Sequence, residues 1–382
     1  MKGFDYKQHA DKLLFVLALV VLALVLFPKG GGFAVPQAAK IVFTQWWEDD
    51  LEENTLQELV AEFEALYGGI EIVISKKSYE DLRRDLFDPS VAALFGDVLA
   101  LDPLWVPELQ KGEIIECSNP SLLSFINVLF YNIDILKDSG FSRPPKSRSE
   151  FINYTRAIKE KSGSHWGLVL DKDSSRWVYD DVYPWIWSSG AQLITDEHSV
   201  VNSRPVIEGL SFLAALQKED LFVSGNKLED FCSGKAAFML SPAKNIKFVR
   251  ERIGDQTFGV SSVPSQDNYA GQSYYGTTEW TIGISAASAH KEEAKLFADF
   301  LAEKSSVLSE KSGALGVLPN MDPFYSKVWD IAITGEPARE FSGHPWALSE
   351  KAFQEELNRL FSGELTPAET AAEIQERWEA LF

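Results

Sequence analysis

Apolar and polar positions between residues 40 and 101 follow the order of a strand, a helix, a strand, a helix and a strand. Residues 41–44, the alternating isoleucines at 70, 72 and 74, and residues 97–101 are typical of strands. Apolar residues recur at helical spacing between positions 56 and 67, and residues 79–94 predict a second helix. This order indicates a parallel sheet with right-handed crossovers, whose ligands bind beyond the carboxyl ends of the strands.

Shorter apolar runs continue this mixed α/β pattern to the C-terminus. We expect further strands at residues 128–131, 166–170, 236–240 and 281–285. Ser147 with Glu150 predicts a capping box at the start of one helix, and Thr366 with Glu369 marks the start of the last helix.

The N-terminal sequence predicts an export signal. Lys2, Lys7 and Lys12 precede residues 13–27, which are all apolar, and Pro28 and three glycines follow. Fifteen apolar residues are fewer than the ~20 that a membrane-spanning helix needs. Residues 1–39 are therefore expected to be a secretory signal peptide, with an uncleaved signal anchor at residues 13–27 as the alternative. Either one places the rest of the chain in the periplasm or elsewhere outside the cytoplasm.

Charge and composition exclude several classes of protein. Asp and Glu outnumber Lys and Arg by 56 to 36, a formal charge of −20, whereas nucleic-acid binding requires a basic surface. The five His and two Cys are scattered, so we expect neither a metal site nor a cofactor. No H-E-x-x-H, G-x-S-x-G or phosphate-loop motif supports catalysis. We expect Cys117 and Cys232 to be free thiols.

Six motifs occur in a fixed order over about 340 residues. They are a strand with its polar-aromatic loop and helix at 41–69, GDV with WVPEL at 96–109, LFYN with a following PP at 129–145, GKAAFM at 234–239, WTIGIS at 280–285 and SGELTP at 362–367. This series resembles the extracellular solute-binding proteins of ABC importers, in the branch of sugar- and maltose-type receptors.

The resemblance implies a periplasmic-binding-protein fold, with two discontinuous α/β lobes around a ligand cleft. Hinge crossings are expected near Ile126, Ile284 and Leu315, which gives residues 40–126 plus 284–315 to lobe 1 and residues 127–283 plus 316–382 to lobe 2. The implied function is capture of a small solute, a mono- or oligosaccharide, by hinge closure and its delivery to the transmembrane subunits of an ABC permease. The protein is expected to act as a monomer.

A sugar receptor needs polar side chains for the hydroxyl groups and an aromatic ring for the C–H face. Trp and acidic residues with this chemistry follow the expected strand ends or lie in the aromatic stretch at 177–187. The ligand-binding residues that we predict are Trp46, Trp47, Glu48, Asp102, Trp177, Tyr183, Gly276, Thr277, Glu279 and Trp280. Structural roles compete at several positions: Asp102, for example, is also placed to cap the helical turn at Pro103.

One residue departs from the family pattern. Maltose-type receptors commonly have a stacking Trp shortly after the GKAA strand, where this sequence has Ala243. Trp280 with Trp46 or Trp47 would then have to provide the stacking surface. Three alternatives stay open: a membrane-anchored glycoside hydrolase, which also combines Trp with paired carboxylates, a receptor for a phosphorylated polyol or a cation-bearing solute, and a sensory receptor.

Overall fold

The computed structural model describes residues 38–88, 90, 95–118, 121–195, 198–312, 314, 322–338, 340–341 and 346–381. The expected export segment at residues 13–27 and the expected crossing at Leu315 lie outside these ranges. Within them, no helix combines the length and the apolar character that crossing a membrane requires.

The fold alternates strands and helices along most of its length, as the periodicity predicts. The strands are β1 Ala39–Gln45, β2 Ile70–Lys76, β3 Val98–Leu101, β4 Ile115–Ser118, β5 Leu123–Asn132, β6 Trp166–Leu170, β7 Ile194–Thr195, β8 His198–Ser199, β9 Phe222–Ser224, β10 Ala236–Pro242, β11 Phe258–Ser261, β12 Tyr274–Tyr275, β13 Thr277–Ser285 and β14 Glu336–Pro337.

The α-helices are α1 Thr55–Leu66, α2 Tyr79–Leu86, α3 Val106–Lys111, α4 Ile133–Asp138, α5 Arg148–Ser162, α6 Trp177–Asp181, α7 Tyr183–Trp187, α8 Arg204–Lys218, α9 Lys227–Cys232, α10 Ile246–Ile253, α11 Lys291–Glu303, α12 Ser305–Ser312, α13 Pro323–Thr334, α14 Trp346–Ser362 and α15 Pro367–Glu379. Short 3₁₀ turns occupy Trp47–Asp49, Pro103–Trp105 and Ala243–Asn245.

The large sheet consists of two groups of strands that β5 and β13 connect. The first strand group comprises β1 to β4 with residues 281–285 of β13, and β1 pairs in parallel with both β2 and β3. The second strand group comprises β6, β9, β10 and β11 with residues 127–132 of β5. Residues 123–126 of β5 pair antiparallel with residues 277–280 of β13, and we call these two segments the crossing pair. The protein therefore has the expected two-lobed α/β fold.

Helices cover both faces of the second strand group. All seven residues of β10 are buried. Phe238 and Leu240 join one hydrophobic core, whereas Met239 joins the other with Ile246 and Val328. This division follows from the alternation of side chains along a strand, and burial on both faces explains the uninterrupted apolar run of this strand.

Three sequence predictions of local structure need correction. The helix expected at residues 79–94 ends at Leu86, because Phe87 leaves helical geometry and Asp88 precedes Pro89, which disfavours helix at the preceding residue. The strand expected at 281–285 already begins at Thr277, where pairing with β5 extends it. At α5, Ser147 accepts the N–H of Glu150, but the Glu150 carboxylate binds Arg143 instead of completing a capping box.

Candidate functional site

A cavity of about 250 Å³ lies beside the crossing pair. Thr277 and Glu279 point to the same face of β13 because every second side chain of a strand does so. The cavity is lined by Asp102, Pro103, Leu104, Ser121, Tyr179, Thr277, Glu279, Ala338 and Phe341. Carboxylates, hydroxyl groups and two aromatic rings thus meet where the two strand groups join. We call this space the first cavity.

Two further cavities adjoin the first. The second cavity, of about 370 Å³, shares Ser121, Thr277 and Glu279 with it. Its other lining residues are Leu122, Leu123, Ser124, Ile126, Tyr275, Trp329, Ala332 and Pro337. The third cavity, of about 460 Å³, is lined by Gln192, Ile194, Thr195, Tyr274, Pro337, Ala338 and Glu340. The shared residues place the three cavities side by side.

Glu279 is half-buried and lies at the boundary between the first and second cavities. Its Oε1 atom accepts a hydrogen bond of 3.0 Å from the hydroxyl group of Thr277. It is opposite Ser124 in the crossing pair. Across the part of the chain that the structure describes, no Lys, Arg or His forms an ion pair with it.

Asp102 follows β3 and is buried. Its Oδ1 accepts the backbone N–H of Leu104 at 3.0 Å, so it caps the turn at Pro103. Its Oδ2 accepts a hydrogen bond of 3.0 Å from the Tyr79 hydroxyl group and pairs with the guanidinium of Arg176. Burial raises the pKa of the Asp102 carboxyl, and the positive charge of Arg176 opposes this rise. Asp102 therefore has a structural role and also lines the first cavity.

Arg176 connects several parts of the site. It lies just before α6, and its guanidinium binds Asp102 and, at 3.3 Å, Asp180. It also donates to the backbone oxygen of Thr277 at 3.3 Å and lies over the Tyr179 ring at 4.8 Å. Burial works against its charge, but the two carboxylates outweigh it and raise the Arg176 pKa. The guanidinium thus fixes Asp102, Tyr179 and the crossing strand relative to one another.

Two other contacts connect segments of the first and second strand groups. The Lys244 ammonium, after β10, pairs with Asp50, which follows β1. Glu80 in α2 accepts hydrogen bonds of 3.1 and 3.0 Å from the backbone N–H and hydroxyl group of Ser175. Both contacts hold the two strand groups together.

Glu340 forms part of the third cavity. Its carboxylate accepts the Trp187 indole N–H at 2.9 Å and the Leu193 backbone N–H at 2.6 Å. Burial raises its pKa to about 7, although these donors favour the ionised form.

The tryptophans expected to stack on a ligand pack against other aromatic rings. Trp47 and Trp280 are fully buried and stack on each other with ring centroids 4.8 Å apart and planes 6° apart. Trp46 packs edge-on against Tyr79. None of the three belongs to the lining of the first, second or third cavity. Their role in ligand binding stays a prediction.

The remaining predicted residues divide between the cavities and the core. Asp102, Thr277 and Glu279 line the first cavity. Trp177 and Tyr183 are buried in α6 and α7, where Tyr183 stacks on Phe341. Glu48 and Gly276 do not line any of the three cavities. The Glu48 carboxylate accepts a hydrogen bond of 2.7 Å from Gln57, and Gly276 is buried close to Trp187.

Sequence reasoning missed six residues that line the first cavity, among them Tyr179, Phe341 and Ser121, and it missed Arg176, which binds Asp102. Tyr179 lies in the aromatic stretch at residues 177–187, but Phe341 and Ser121 lie in segments without a motif. Arg176 was detectable as the basic residue preceding the acidic pair Asp180 and Asp181 at helical spacing. Its partner Asp102 is 74 residues away, and periodicity cannot show such a pairing.

Two further predictions concern Cys and metal chemistry. Cys232 is a free, half-buried thiol, and burial raises its pKa. Within the ranges given above, no three His, Cys, Asp or Glu side chains are grouped as metal ligands.

Comparison with known proteins identifies relatives of this fold. The GacH receptor of Streptomyces glaucescens, solved unliganded and with acarbose, superimposes with a TM-score of 0.76 at 17% identity, over 90% of this chain and 98% of that one. Maltose-bound MalE3 of T. maritima gives 0.72 at 18% identity over 90% and 100% of the two chains. The sugar-binding protein MalE of Xanthomonas citri gives 0.69 at 17% identity over 90% and 97%.

Sequence comparison with curated proteins finds no match. The family model of the bacterial extracellular solute-binding protein matches residues 49–307, which is more than half of the chain. That segment includes the crossing pair and most of the lining of the first cavity. The chain therefore belongs to the bacterial extracellular solute-binding protein family.

Proposed function

We propose that this protein captures a carbohydrate in the first cavity and delivers it to the transmembrane subunits of an ABC permease. The observation that carries the proposal is the lining of that cavity, where Asp102, Thr277 and Glu279 lie with the rings of Tyr179 and Phe341. Carboxylates and hydroxyls bind the rim of a sugar, and aromatic rings bind its C–H face. Acarbose and maltose, bound by the GacH receptor and MalE3, are solutes of this class.

The solute that fits best is an oligosaccharide. The first cavity shares Ser121, Thr277 and Glu279 with the second, and Tyr275 and Trp329 add aromatic surface in the second. A ligand of several sugar units would place successive rings in adjoining cavities.

Binding would be coupled to hinge closure of two lobes, residues 40–126 plus 284–315 and residues 127–283 plus 316–382. The crossing pair supports this division, since β5 and β13 change strand group at residues 126–127 and 280–281. The first crossing coincides with Ile126, and the second lies a few residues before Ile284. Hinge closure around a ligand is a common motion of two-lobed binding proteins.

The cellular setting follows from the family and the N-terminal sequence. The mature protein would act outside the cytoplasmic membrane, in the periplasm where there is one, with residues 1–39 as a signal peptide or residues 13–27 as a signal anchor. We propose that it acts as a monomer without catalytic activity, because its family relatives are solute-binding proteins.

A panel of neutral oligosaccharides tests the proposal by titration calorimetry. We expect at least one to bind without turnover, and Phe341→Leu to weaken it about fivefold because the ring contact with the sugar is lost. Phe248→Leu in α10 is the matched control and should leave affinity unchanged. Absence of binding by every saccharide, or hydrolysis of a chromogenic glycoside, would refute the proposed function.

A further inference from the structure

The charged residues around the first and second cavities are unevenly distributed. Asp102 and Glu279 are the acidic residues among the lining described for these cavities, and that lining includes no Lys, Arg or His. A neutral saccharide offers hydroxyl groups to these carboxylates but no positive charge to balance them. The two carboxylates differ, because Asp102 already has a cationic partner, Arg176.

The charge of Asp102 is compensated within the protein. Arg176 binds both Asp102 and Asp180, while Asn127 donates a hydrogen bond of 3.0 Å to Asp180. One guanidinium between two carboxylates leaves this buried group with a net charge of about −1 if both carboxylates are ionised. Arg176 therefore has no charge left to offer Glu279.

Glu279 has no such compensation. Thr277 donates its hydroxyl proton to Oε1, while Oε2 receives no hydrogen bond from any residue within the described ranges. The side chain is half-buried, so water and salt screen its charge less than at the surface. Its place in the lining of both cavities lets a ligand in either one approach its carboxylate.

The rings beside Glu279 suit a cation as well as a sugar. Tyr179 and Phe341 line the first cavity with ring centroids 6.2 Å apart. Tyr275 and Trp329 line the second cavity beside the same carboxylate. Ammonium groups are attracted to the faces of aromatic rings and form charge-assisted hydrogen bonds with carboxylates.

We propose that the natural solute is a saccharide carrying a protonated amine, and that Glu279 binds this amine at the junction of the first and second cavities. This inference rests on the proposed carbohydrate-binding function and specifies the ligand class. The ammonium group donates to Glu279 Oε2 and neutralises the excess charge, while the sugar rings pack on the aromatic lining. Phosphorylated and carboxylated sugars are disfavoured, because they would bring a second negative charge to the same carboxylate.

Titration calorimetry with the full chain tests the proposal on one molecule in two charge states. The ligand is the trisaccharide of glucosamine, whose amines are protonated at about pH 6 and largely neutral at about pH 9. Maltotriose and the fully N-acetylated trisaccharide are the neutral comparison ligands. We expect the glucosamine trisaccharide to bind at least ~10-fold more tightly at the lower pH, with no such change for the neutral ligands.

Two variants assign the effect. Glu279→Gln keeps the shape of the side chain and its contact with Thr277, and it should abolish the pH dependence while thermal unfolding stays unchanged. Glu251→Gln, on the exposed surface of α10, makes the same change in net charge and should retain the pH dependence.

The outcomes separate the two proposals. Equal affinity for amine-bearing and neutral saccharides, or an unchanged pH dependence in Glu279→Gln, would overturn the amine assignment and leave carbohydrate binding intact. Binding of spermidine with no affinity for any saccharide would refute the carbohydrate function and, with it, the amino-sugar assignment.

Discussion

Arg176 is the residue on which most of the polar structure near the cavities depends. It is buried, and it contacts Asp102, Asp180 and the Thr277 carbonyl at once. Burial of three charged groups is costly, and mutual pairing offsets this cost if each group keeps its partners. The guanidinium fork meets this requirement because it presents several N–H donors in one plane.

We expect Arg176→Met to lower the free energy of unfolding by about 3 kcal/mol, because two buried carboxylates lose their counter-charge. Urea denaturation followed by tryptophan fluorescence measures this change. Arg84→Met is the matched control, since Arg84 is exposed and pairs with Asp81 at the surface, and it should have no measurable effect. Adding Asp102→Asn to Arg176→Met should recover part of the loss, and a further loss instead would show that charge is not the cause.

At the scale of elements, helix ends show how local sequence becomes structure. Thr366 and Glu369 form a complete capping box at α15, with the Thr366 hydroxyl accepting the Glu369 N–H at 3.3 Å and the carboxylate accepting the Thr366 N–H at 2.8 Å. By contrast, Ser203 precedes α8 without a side-chain hydrogen bond to the helix. A hydroxyl side chain therefore caps the helix at Thr366 but not at Ser203.

Replacing Thr366 by Ala should cost about 1 kcal/mol of stability, because a backbone N–H at the start of α15 loses its acceptor. Ser203→Ala is the control and should be close to neutral, since no cap hydrogen bond is removed. Both effects can be measured as shifts in the midpoint of urea unfolding. Equal shifts in the two variants would contradict this account of the capping box.

At the scale of the whole molecule, polar contacts hold the two strand groups together. Lys244 and Asp50 form a half-buried ion pair that connects the two strand groups. Lys244 follows Ala243, the position at which the sequence lacks the stacking Trp common in maltose-type receptors. We expect this ion pair to favour the present arrangement of the two strand groups over a more open one.

Lys244→Met should shift the ligand-free protein about tenfold toward an open arrangement, because Asp50 then favours exposure to water. Small-angle X-ray scattering should show a larger radius of gyration without ligand and recovery with it. The matched control is Lys235→Met, which removes an ion pair between Asp230 in α9 and the residue that precedes β10. A radius unchanged by Lys244→Met would exclude a role for this pair in closure.

The sequence by itself determined the α/β class, the order of the first strands and helices, the capping of the last helix and the resemblance to solute-binding proteins. These features depend on local periodicity and on short motifs, which neighbouring residues specify. Tertiary structure decided which residues line the cavities. It stacked Trp47 on Trp280, brought Phe341 beside Tyr179 and placed Arg176 between Asp102 and Asp180. Burial and charge compensation arise from contacts between residues far apart in the chain, so a local pattern could propose Glu279 for the site but could not show that no Lys, Arg or His among the described residues pairs with it.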